Sequence, residues 1–480
     1  DNRERLVEAI CKDYGNRSEF ETLFAEFFVV LESIHDARKN LKLWMSPQRR
    51  HIDFMMYPGA KNRVIPQPLG VVGVIVPWNF PLNLSFCPLA AIFAAGNRAM
   101  VKMSENSRHL AALLIELSPK YLPKNRLEFF DDGGGRGPAF SSLPFDHLLF
   151  TGSGATGRAV MANAAQNLTP VTLELGGKSP AIVAPDFPLK TAAERIMWVK
   201  MFNAGQICTN IDYLFLPEGK VEEFTEHCKR LIAQRFPDLN AGDFTSIIDQ
   251  RAYSRLQGAL QDARDKGATL INLAEGQQPD PAMRTLAPHL VVNVSHDMEL
   301  MQREIFGPIL PLGTYRSEQE VADYVNARDR PLALYPYTHD QRVAQFYIDR
   351  VMSGGVGVND ALLHVGQHDL PFGGVGESGM GHYHGREGYY NFSKLRSVRL
   401  AIIRASSRSA RSASSNVLRM CVFGISAISV LIVYLQTLTK SSGDIVFRLL
   451  FAGIGKDFLC VVILDELAQV EESRHVRDAG

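Results

Sequence analysis

The sequence has few cysteines, and their arrangement argues against two kinds of site. Six cysteines occur in 480 residues, without a C-x-x-C pair and without a histidine at zinc spacing. This scatter argues against a disulfide framework and against a cysteine-ligated zinc site, and it is typical of a reducing compartment. We therefore expect a cytoplasmic protein. The cysteines are Cys11, Cys87, Cys208, Cys228, Cys421 and Cys460.

An excess of either charge is also missing, since 51 basic residues balance 51 acidic ones. A balanced chain gives no reason to expect a basic groove, so we expect no nucleic-acid partner. The N-terminal segment DNRERLVEAICKDYG is charged and helix-like, and it lacks the apolar core of a secretory signal. A chain of this length exceeds one ordinary hydrophobic core, so two or three domains are predicted.

Long uncharged apolar runs are scarce, and the clearest one lies near the C-terminus. Residues 404–415 (RASSRSARSASS) form a Ser/Arg-rich linker, and residues 420–435 (MCVFGISAISVLIVYL) follow it. The run is shorter than the roughly 20 residues of a spanning helix, but extension to 420–438 brings it close. A membrane anchor, an accessory segment and the product of a shifted reading frame all remain open for residues 401–480. Membrane association through residues 420–438 is the alternative to a purely cytoplasmic location.

Before residue 398 the chain alternates short apolar runs with helix-like stretches, a pattern that predicts an α/β protein with largely parallel sheets. Helices are predicted at 82–95, 190–202, 221–236 and 250–266. Strands are predicted at 71–76, 99–102, 148–151, 172–175 and 212–216.

The stretch FTGSGATGRAV carries Gly152, Gly154 and Gly157 at the G-x-G-x-x-G spacing, which predicts a helix start that faces a dinucleotide pyrophosphate. An acid about twenty residues downstream often holds the cofactor ribose, and Glu174 stands there. Glu174 ends an apolar strand, where an unpaired carboxylate is costly to bury. The residues leave three roles open: a ribose ligand, a general base for water, or a salt-bridged core acid.

Two further polar residues stand where chemistry could occur. Cys208, in NAGQICTN, could be a nucleophile if backbone N–H groups favour its thiolate, although a buried structural cysteine has the same local pattern. Asn79, in VPWNFPLNL, lies just beyond the carboxyl end of a predicted strand, where an amide could stabilise an oxyanion. An asparagine that satisfies its own turn is the alternative.

Two strings near the C-terminal side complete the set. In EIFGPILP, Glu304 and Phe306 precede a Gly-Pro turn and a buried strand. Residues 371–394 (PFGGVGESGMGHYHGREGYYNFSK) form a long glycine-rich segment of the kind that closes over ligands. Its His382 and His384 lack an apparent third ligand, so no metal site is predicted.

Taken together and in this order, PWNFP, FTGS, LELGGKSP, GQIC, EIFGP and PFGGVGESG resemble the NAD(P)-dependent aldehyde dehydrogenase superfamily. The resemblance covers residues 6–398. It is strongest to the class 3-like branch, and HYHGREGYYNFSKLRSV with NLTPVTLELGGKSPAIV looks most similar to bacterial coniferyl aldehyde dehydrogenases. The branch is typically dimeric, so the resemblance implies a homodimer.

The resemblance implies a fold with a Rossmann-like NAD-binding domain, an α/β catalytic domain and a small β oligomerisation arm. The implied boundaries are 1–46 with 71–174 for the NAD-binding domain and 175–364 for the catalytic domain. Residues 47–70 and 365–400 would form oligomerisation or bridging segments, and residues 401–480 a linker and apolar tail.

The resemblance also assigns roles to the candidate residues. It makes Cys208 the nucleophile, Glu174 the general base and Asn79 the oxyanion donor. Glu105 rather than Glu174 becomes the ribose acid, and a carboxylate there would repel a 2′-phosphate. NAD is therefore favoured as the cofactor, with NADP accepted by some members of the branch. The implied cofactor-binding residues are Val76, Pro77, Trp78, Lys102, Glu105, Gly152, Ser153, Gly157, Leu175, Glu304 and Phe306.

Two segments depart from the family pattern. Relatives usually carry Gly-Ser-Thr where this chain has Gly152-Ser153-Gly154, a change that could loosen the helix start. Residues 127–137 (LEFFDDGGGRG) form a poorer strand and turn than the usual Val-rich version.

We therefore predict NAD-dependent oxidation of an apolar aromatic aldehyde of the coniferaldehyde type to its acid, through a cysteine thiohemiacetal and thioester. A fatty or medium-chain aldehyde dehydrogenase is the alternative within the superfamily. A non-catalytic binding or structural protein on the same fold is the alternative of another class.

Overall fold

A computed structural model describes residues 2–401 of the chain. Within that range the strands, in chain order, are β1 (Gln48–Arg50), β2 (Lys61–Pro68), β3 (Val71–Ile75), β4 (Arg98–Lys102), β5 (Leu127–Phe130), β6 (His147–Gly152), β7 (Val171–Leu175), β8 (Ser179–Val183), β9 (Ile211–Pro217), β10 (Thr269–Asn272), β11 (His289–Val292), β12 (Ile309–Tyr315), β13 (Ala333–Tyr337), β14 (Gly355–Val356), β15 (Gly379–Met380) and β16 (Ser393–Leu400).

The α-helices of the same range pack around these strands. They are α1 (Arg3–Tyr14), α2 (Glu19–Thr22), α3 (Val29–Trp44), α4 (Asn83–Ala94), α5 (Arg108–Tyr121), α6 (Gly137–Ser141), α7 (Gly154–Ala165), α8 (Leu189–Met201), α9 (Val221–Arg235), α10 (Gln250–Asp265), α11 (Glu299–Gln302), α12 (Glu318–Asn326), α13 (Gln341–Arg350) and α14 (Gly385–Asn391). A π-helical turn, Leu23–Phe28, joins α2 to α3, and short 3-10 turns span Phe202–Gly205 and Leu363–Gly366.

A six-stranded sheet in the order β15-β7-β6-β3-β4-β5 forms the first part of the core. Its five long strands are parallel, and β15 pairs antiparallel with β7 at the edge. Strand β3 (VVGVI) is buried over most of its length, as expected for a parallel strand covered by helices on both faces. Ligands of such sheets bind beyond the carboxyl ends of the strands, so those ends mark where the site should lie.

A seven-stranded sheet in the order β10-β11-β12-β9-β8-β13-β14 forms the second part. Strands β8, β9 and β12 pair in parallel at its centre, and β10 is the antiparallel edge. The largest hydrophobic cluster of the described chain packs on this sheet, through β8, β9, β12 and β13 and helices α8 to α13.

The described residues divide into two compact units, 2–47 with 65–396 and 48–64 with 397–401. Both large sheets belong to the first unit. In the second unit β1 pairs antiparallel with β2, from Gln48 opposite Val64 to Arg50 opposite Asn62. The three-stranded sheet has the order β1-β2-β16. The boundaries that the resemblance implies for cofactor, catalytic and oligomerisation domains stay predictions.

The elements predicted from hydrophobic pattern are confirmed within one or two residues at each end. The predicted strand at 148–151 is β6 (His147–Gly152), and the predicted helix at 250–266 is α10 (Gln250–Asp265). The segment that begins LEFF, which departs from the family pattern, still forms β5. In residues 2–401 no helix is both long enough and apolar enough to span a bilayer. The proposed anchor at 420–438 lies outside the described residues.

The glycine-rich segment 371–394 differs from the ligand-covering loop that its composition predicts. It supplies β15, whose Gly379 is paired with Glu174 of β7, and it continues into α14. Gly379 has φ 145°, and a Cβ there would lie 2.2 Å from the backbone oxygen of Leu173. Glycine is therefore required for the close approach of this edge strand to β7.

Candidate active site

The site lies at the carboxyl ends of three central strands of the six-stranded sheet. Chain segments that follow β3, β6 and β7 meet there, as the position of ligands in parallel sheets predicts. A cavity of about 220 Å³ is bordered by all three segments and by two segments of the seven-stranded part. Its lining residues are Pro77, Trp78, Asn79, Thr151, Gly152, Ser153, Glu174, Leu175, Gly176, Cys208, Glu304 and Phe306.

A second cavity, of about 320 Å³, continues along the same sheet edge. It shares Pro77, Trp78, Thr151, Gly152 and Ser153 with the first, so the two cavities form one cleft. At its far end the second cavity reaches Lys102, Ser104 and Glu105. The cleft therefore brings together every predicted site residue except Gly157.

Cys208 is half-buried in the first cavity. Burial, together with the negative charges of Glu304 and Glu174, raises the pKa of the Cys208 thiol to about 12. The backbone N–H groups of Thr209 and of Cys208 itself oppose this rise in pKa. The thiol therefore needs a nearby positive charge or a general base to become nucleophilic at neutral pH.

Glu174 is 3% exposed, and neither of its carboxylate oxygens has a hydrogen-bond partner among the described residues. Burial raises its pKa well above that of an ordinary glutamate. The interpretation of Glu174 as a salt-bridged core acid, which the sequence left open, is therefore wrong. A carboxylate with a raised pKa beside a thiol is suited to general-base chemistry.

Asn79 is buried, and its side chain reaches a distant part of the chain. Its Nδ2 donates to the backbone oxygen of Gln206 at 3.3 Å, so it does not cap its own turn. The turn-asparagine alternative is therefore wrong. The amide nitrogen of Asn79 carries two hydrogens, and it borders the same cavity as Cys208.

The loop before Cys208 is held by Gln206, which the sequence reasoning did not single out. Gln206 Nε2 donates to the backbone oxygens of Asn203 and Ser246 at 3.0 Å, and its Oε1 accepts from Ile248 N at 3.0 Å. Asn203, Ala204 and Gly205 have φ values of 52°, 47° and 78°, a left-handed run that is strained at the two non-glycine residues. The signal for Gln206 that the sequence offered was its position within the motif GQIC.

A largely buried ion pair holds the segment that carries Glu304 and Phe306 in place. Lys178 pairs with Asp212, whose Oδ1 accepts from Ile305 N at 2.9 Å. Lys178 Nζ also donates to the backbone oxygen of Leu300 at 2.7 Å. These two residues were also missed, because their partners lie far apart in the sequence.

Glu304 and Phe306 face the cavity from that segment. Burial, with a smaller contribution from Asp212, raises the pKa of Glu304 to about 8, and its Oε1 is without a partner in the described chain. A Cβ at Gly176 would lie 2.1 Å from Glu304 Oε2, so this glycine makes room for the acid. The ring of Phe306 meets Trp78 edge-on at 5.5 Å.

The far end of the cleft is more polar and more open. Lys102 Nζ lies 2.9 Å from Asp132 Oδ1, and Glu105 is exposed and accepts from Ser104 Oγ at 3.1 Å. Ser153 is the N-cap of α7, with its Oγ accepting from Thr156 N at 3.4 Å. The glycine at position 154 therefore does not prevent the helix from starting there.

Gly157 has a packing position in place of the cofactor contact that the fingerprint predicts. It borders neither cavity, and a Cβ there would lie 2.7 Å from Leu175 Cδ2. The third glycine of the motif thus lets α7 pack closely on β7. Across residues 2–401 no cluster of three or more metal-ligating side chains occurs, and His384 stacks on Phe372 at 4.9 Å.

Comparison with known proteins gives one consistent family. The profile of the aldehyde dehydrogenase family matches residues 1–398. A protein of Pseudomonas aeruginosa named "probable coniferyl aldehyde dehydrogenase" is 51% identical over 398 residues, 82% of each chain. A rat protein named "aldehyde dehydrogenase, dimeric NADP-preferring" is 36% identical over 83% of this chain and 86% of its own. The solved structure of Staphylococcus aureus AldH in a substrate-bound state superposes with a TM-score of 0.80 at 34% identity, covering 84% of this chain and 87% of that one.

Proposed function

The chain belongs to the aldehyde dehydrogenase family and is an NAD(P)-dependent aldehyde oxidoreductase, and from that premise we propose its substrate and its catalytic residues. The substrate is an apolar aromatic aldehyde of the coniferaldehyde type, which is oxidised to the carboxylic acid. The observation that carries the proposal is the meeting of Cys208, Glu174 and Asn79 in one cavity. The relatives do not favour the fatty-aldehyde or the non-catalytic alternative.

In this proposal Cys208 is the nucleophile. The thiol first gives its proton to water in the cleft, and the resulting thiolate attacks the aldehyde carbon, so that the carbonyl oxygen becomes the oxyanion of a thiohemiacetal. The free hydrogen of the Asn79 amide and the Cys208 backbone N–H donate to that oxyanion. One such donor in a dry cavity lowers the barrier by about 3–4 kcal/mol.

Bound NAD(P)⁺ supplies the acceptor for the hydride that the thiohemiacetal loses on becoming a thioester. Glu174 then takes a proton from water, and the hydroxyl group adds to the thioester carbon. Collapse of that adduct releases the acid and returns the thiol. Because Glu174 has no competing partner among the described residues, its full basicity is available to the water.

The described residues fit a dinucleotide along the cleft. The N-terminus of α7 at Ser153 suits a pyrophosphate, since unpaired N–H groups and the helix dipole attract anions. Within residues 2–401 the Oε1 of Glu304 has no partner, which suits a ribose hydroxyl, and Phe306 and Trp78 offer apolar walls for a ring. Lys102 and Glu105 lie at the adenosine end, where Glu105 favours NAD over NADP by repelling a 2′-phosphate.

An aromatic shell on another side of the catalytic residues supports the choice of substrate. Ile207, just before Cys208, and Phe80, just after Asn79, pack in one cluster with Phe202. Phe24 meets Phe202 edge-on at 6.2 Å, and Trp198 lies 5.4 Å from Phe202. In this proposal an aromatic substrate would pack against the partly buried members of the cluster, Phe24 and Trp198, because ring pairs gain about 0.5–1.5 kcal/mol beyond area burial.

A homodimer in the cytoplasm is the proposed form of the enzyme. In the second unit the turn between β1 and β2 exposes Phe54, Met55 and Met56, an apolar surface that a second copy could cover. A reducing compartment protects a reactive thiol from oxidation, which agrees with the cytoplasm. Size-exclusion chromatography with light scattering would distinguish the dimer from a monomer.

The test is NADH formation with coniferaldehyde, benzaldehyde and hexanal, with Cys208→Ser as the blank. We expect kcat/KM for the two aromatic aldehydes to exceed that for hexanal by about tenfold or more, the scale of a well-matched apolar pocket. Phe24→Leu should reduce this preference, whereas Phe346→Leu, on the remote helix α13, should leave it unchanged. A preference for hexanal would overturn the aromatic proposal and support the fatty-aldehyde alternative.

A further inference from the structure

Three side-chain donors converge on one backbone oxygen, that of Asn79. Arg17 Nη1 donates to it at 2.8 Å, Tyr14 Oη at 3.0 Å and Asn203 Nδ2 at 3.3 Å. A carbonyl oxygen has two lone pairs, so three donors exceed what hydrogen-bond satisfaction requires. The convergence fixes the main chain at the residue whose side chain borders Cys208.

Arg17 is buried in an environment that is costly for a charged group. Its side chain is fully inaccessible, and its Nε and Nη2 have no partner within the described range. Its guanidinium lies 3.4 Å from Glu26 Oε1 and 4.8 Å from the centre of the Tyr14 ring. A buried ion pair with unmade hydrogen bonds often destabilises a fold relative to an apolar pair of the same size. Folding stability alone therefore does not explain Arg17.

The other end of Asn79 is fixed as well. Its Nδ2 donates to the backbone oxygen of Gln206, which also accepts from Asn203 Nδ2 at 3.1 Å. Asn203 thus links the carbonyl of Asn79 to the loop that carries Cys208. With the main chain and one amide hydrogen both fixed, the second amide hydrogen has a defined direction.

We propose that Arg17, assisted by Tyr14, is a positioning residue that holds the Asn79 amide at the oxyanion by fixing the backbone carbonyl of Asn79. The inference rests on the proposed function, since it assumes that Asn79 stabilises the oxyanion. Arg17 touches neither substrate nor cofactor in this arrangement and acts only through Asn79. The alternative is that Arg17 only packs the N-terminal segment.

The two roles are separated by a double-mutant cycle in the full-length protein. Arg17→Met is combined with Glu26→Gln, so that no unpaired charge stays buried. This double variant is made both in the wild-type protein and in the Asn79→Ala variant. In the wild-type background we expect kcat to fall at least about tenfold. This is a smaller loss than the 10²–10³-fold loss of kcat expected when an oxyanion donor is removed completely. In the Asn79→Ala background the same pair should lower kcat by less than about twofold, because the amide it positions is gone.

Arg328→Met is the matched control. Arg328 also lies over a ring, 3.3 Å from the centre of Tyr324, and its Nε has no partner among the described residues. It is only partly buried, and it borders neither cavity of the cleft. Its loss should lower the melting temperature with unchanged kcat. Tyr14→Phe is the second test, because it removes one donor to the Asn79 oxygen and keeps the ring. We expect an approximately threefold fall in kcat that vanishes in the Asn79→Ala background.

Each outcome decides something different. If Arg17→Met with Glu26→Gln lowers kcat equally in both backgrounds, the positioning role is overturned. If that double variant does not fold, an equal loss of kcat by Tyr14→Phe in both backgrounds overturns it. A change in KM for NAD without a change in kcat would also overturn it. Full activity of Asn79→Ala alone would instead contradict the oxyanion role in the proposed function, and NADH formation by the wild type reports separately on the reaction.

Discussion

The two ends of the cleft place a glutamate carboxylate in different environments. At one end Glu174 is buried, has no hydrogen-bond partner in residues 2–401 and has a raised pKa. At the other end Glu105 is exposed and accepts from the hydroxyl of Ser104. The same side chain is thus kept reactive at one end and solvated at the other.

The proposed function accounts for this difference. A base or a nucleophile gains reactivity when water and competing donors are excluded, at a cost in folding stability. A binding group for a polar cofactor gains nothing from desolvation, since it exchanges water for a similar hydrogen bond. Substitutions at the catalytic end should therefore change kcat, and those at the open end should change cofactor affinity.

The largest expected effect is that of Cys208→Ser at the catalytic end. A serine hydroxyl is a far weaker nucleophile than a thiolate, so kcat should fall by roughly 10³-fold or more. Steady-state NADH formation measures this, with Cys11→Ser on helix α1 as the matched control. Retention of full activity by Cys208→Ser would show that another group is the nucleophile.

Glu174→Gln should have the next largest effect and a different kinetic signature. Steady-state turnover should fall about 10²-fold or more, because the base for water is lost, while one equivalent of NADH still forms in a burst. Stopped-flow fluorescence detects the burst, and Glu275→Gln, an exposed acid paired with Lys229, is the control. Loss of NAD binding in place of turnover would support the ribose-ligand role for Glu174.

The raised pKa of Glu174 gives that prediction a pH dependence. Only the ionised carboxylate accepts a proton, so turnover in the hydrolytic step should rise with pH through a pKa above 4.5. The rising limb should be absent from the residual activity of Glu174→Gln. A pH profile that is unchanged by this substitution would assign the limb to another group.

Glu105→Gln should have a smaller effect, confined to the open end. Removing the charge should raise KM for NAD and improve the use of NADP, with a change of about tenfold in the ratio of kcat/KM values. Aldehyde turnover at saturating cofactor should be nearly unchanged. Glu128→Gln on β5 is the control, and an unaltered NAD to NADP ratio would remove Glu105 from cofactor selection.

The smallest expected effect is on stability, again from Glu174→Gln. A carboxyl group whose pKa is raised on folding contributes stability below its unfolded pKa of about 4.5, and loses it as pH rises towards the folded value. Glutamine does not ionise, so the variant should melt higher than the wild type at pH 8, by roughly 1–4 °C. The difference should shrink to near zero at about pH 4.5, and a constant difference across this range would contradict the unpaired burial of Glu174.

The sequence predicted more of the site than of its supports. Cys208, Asn79 and Glu174 were candidates from their local strings, since each is a polar residue beside a turn or a strand end. Gln206 stood inside a recognised motif but gave no local signal of its own. Arg17 gave none, because it acts on a carbonyl 62 positions away, and such a contact leaves no pattern along the chain.

The glycine-rich segment 371–394 also shows what composition alone does not predict. Its composition predicted a loop that closes over ligands, and it could not show which strand the segment would pair with. The partner is β7, where Gly379 is paired with Glu174, so part of the predicted ligand-covering loop is an edge strand beside the proposed general base. Strand pairing depends on which segments meet in space, and short-range composition does not encode that.

The sequence by itself determined the α/β pattern, the order of the motifs and the chemical types at the site, because hydrophobic period and residue chemistry are local properties. Only the tertiary structure decided which acid stays unpaired, how the Asn79 carbonyl is held by three donors and how the two cavities join into one cleft. Those features depend on desolvation and on contacts between distant segments, which exist only after the chain has packed.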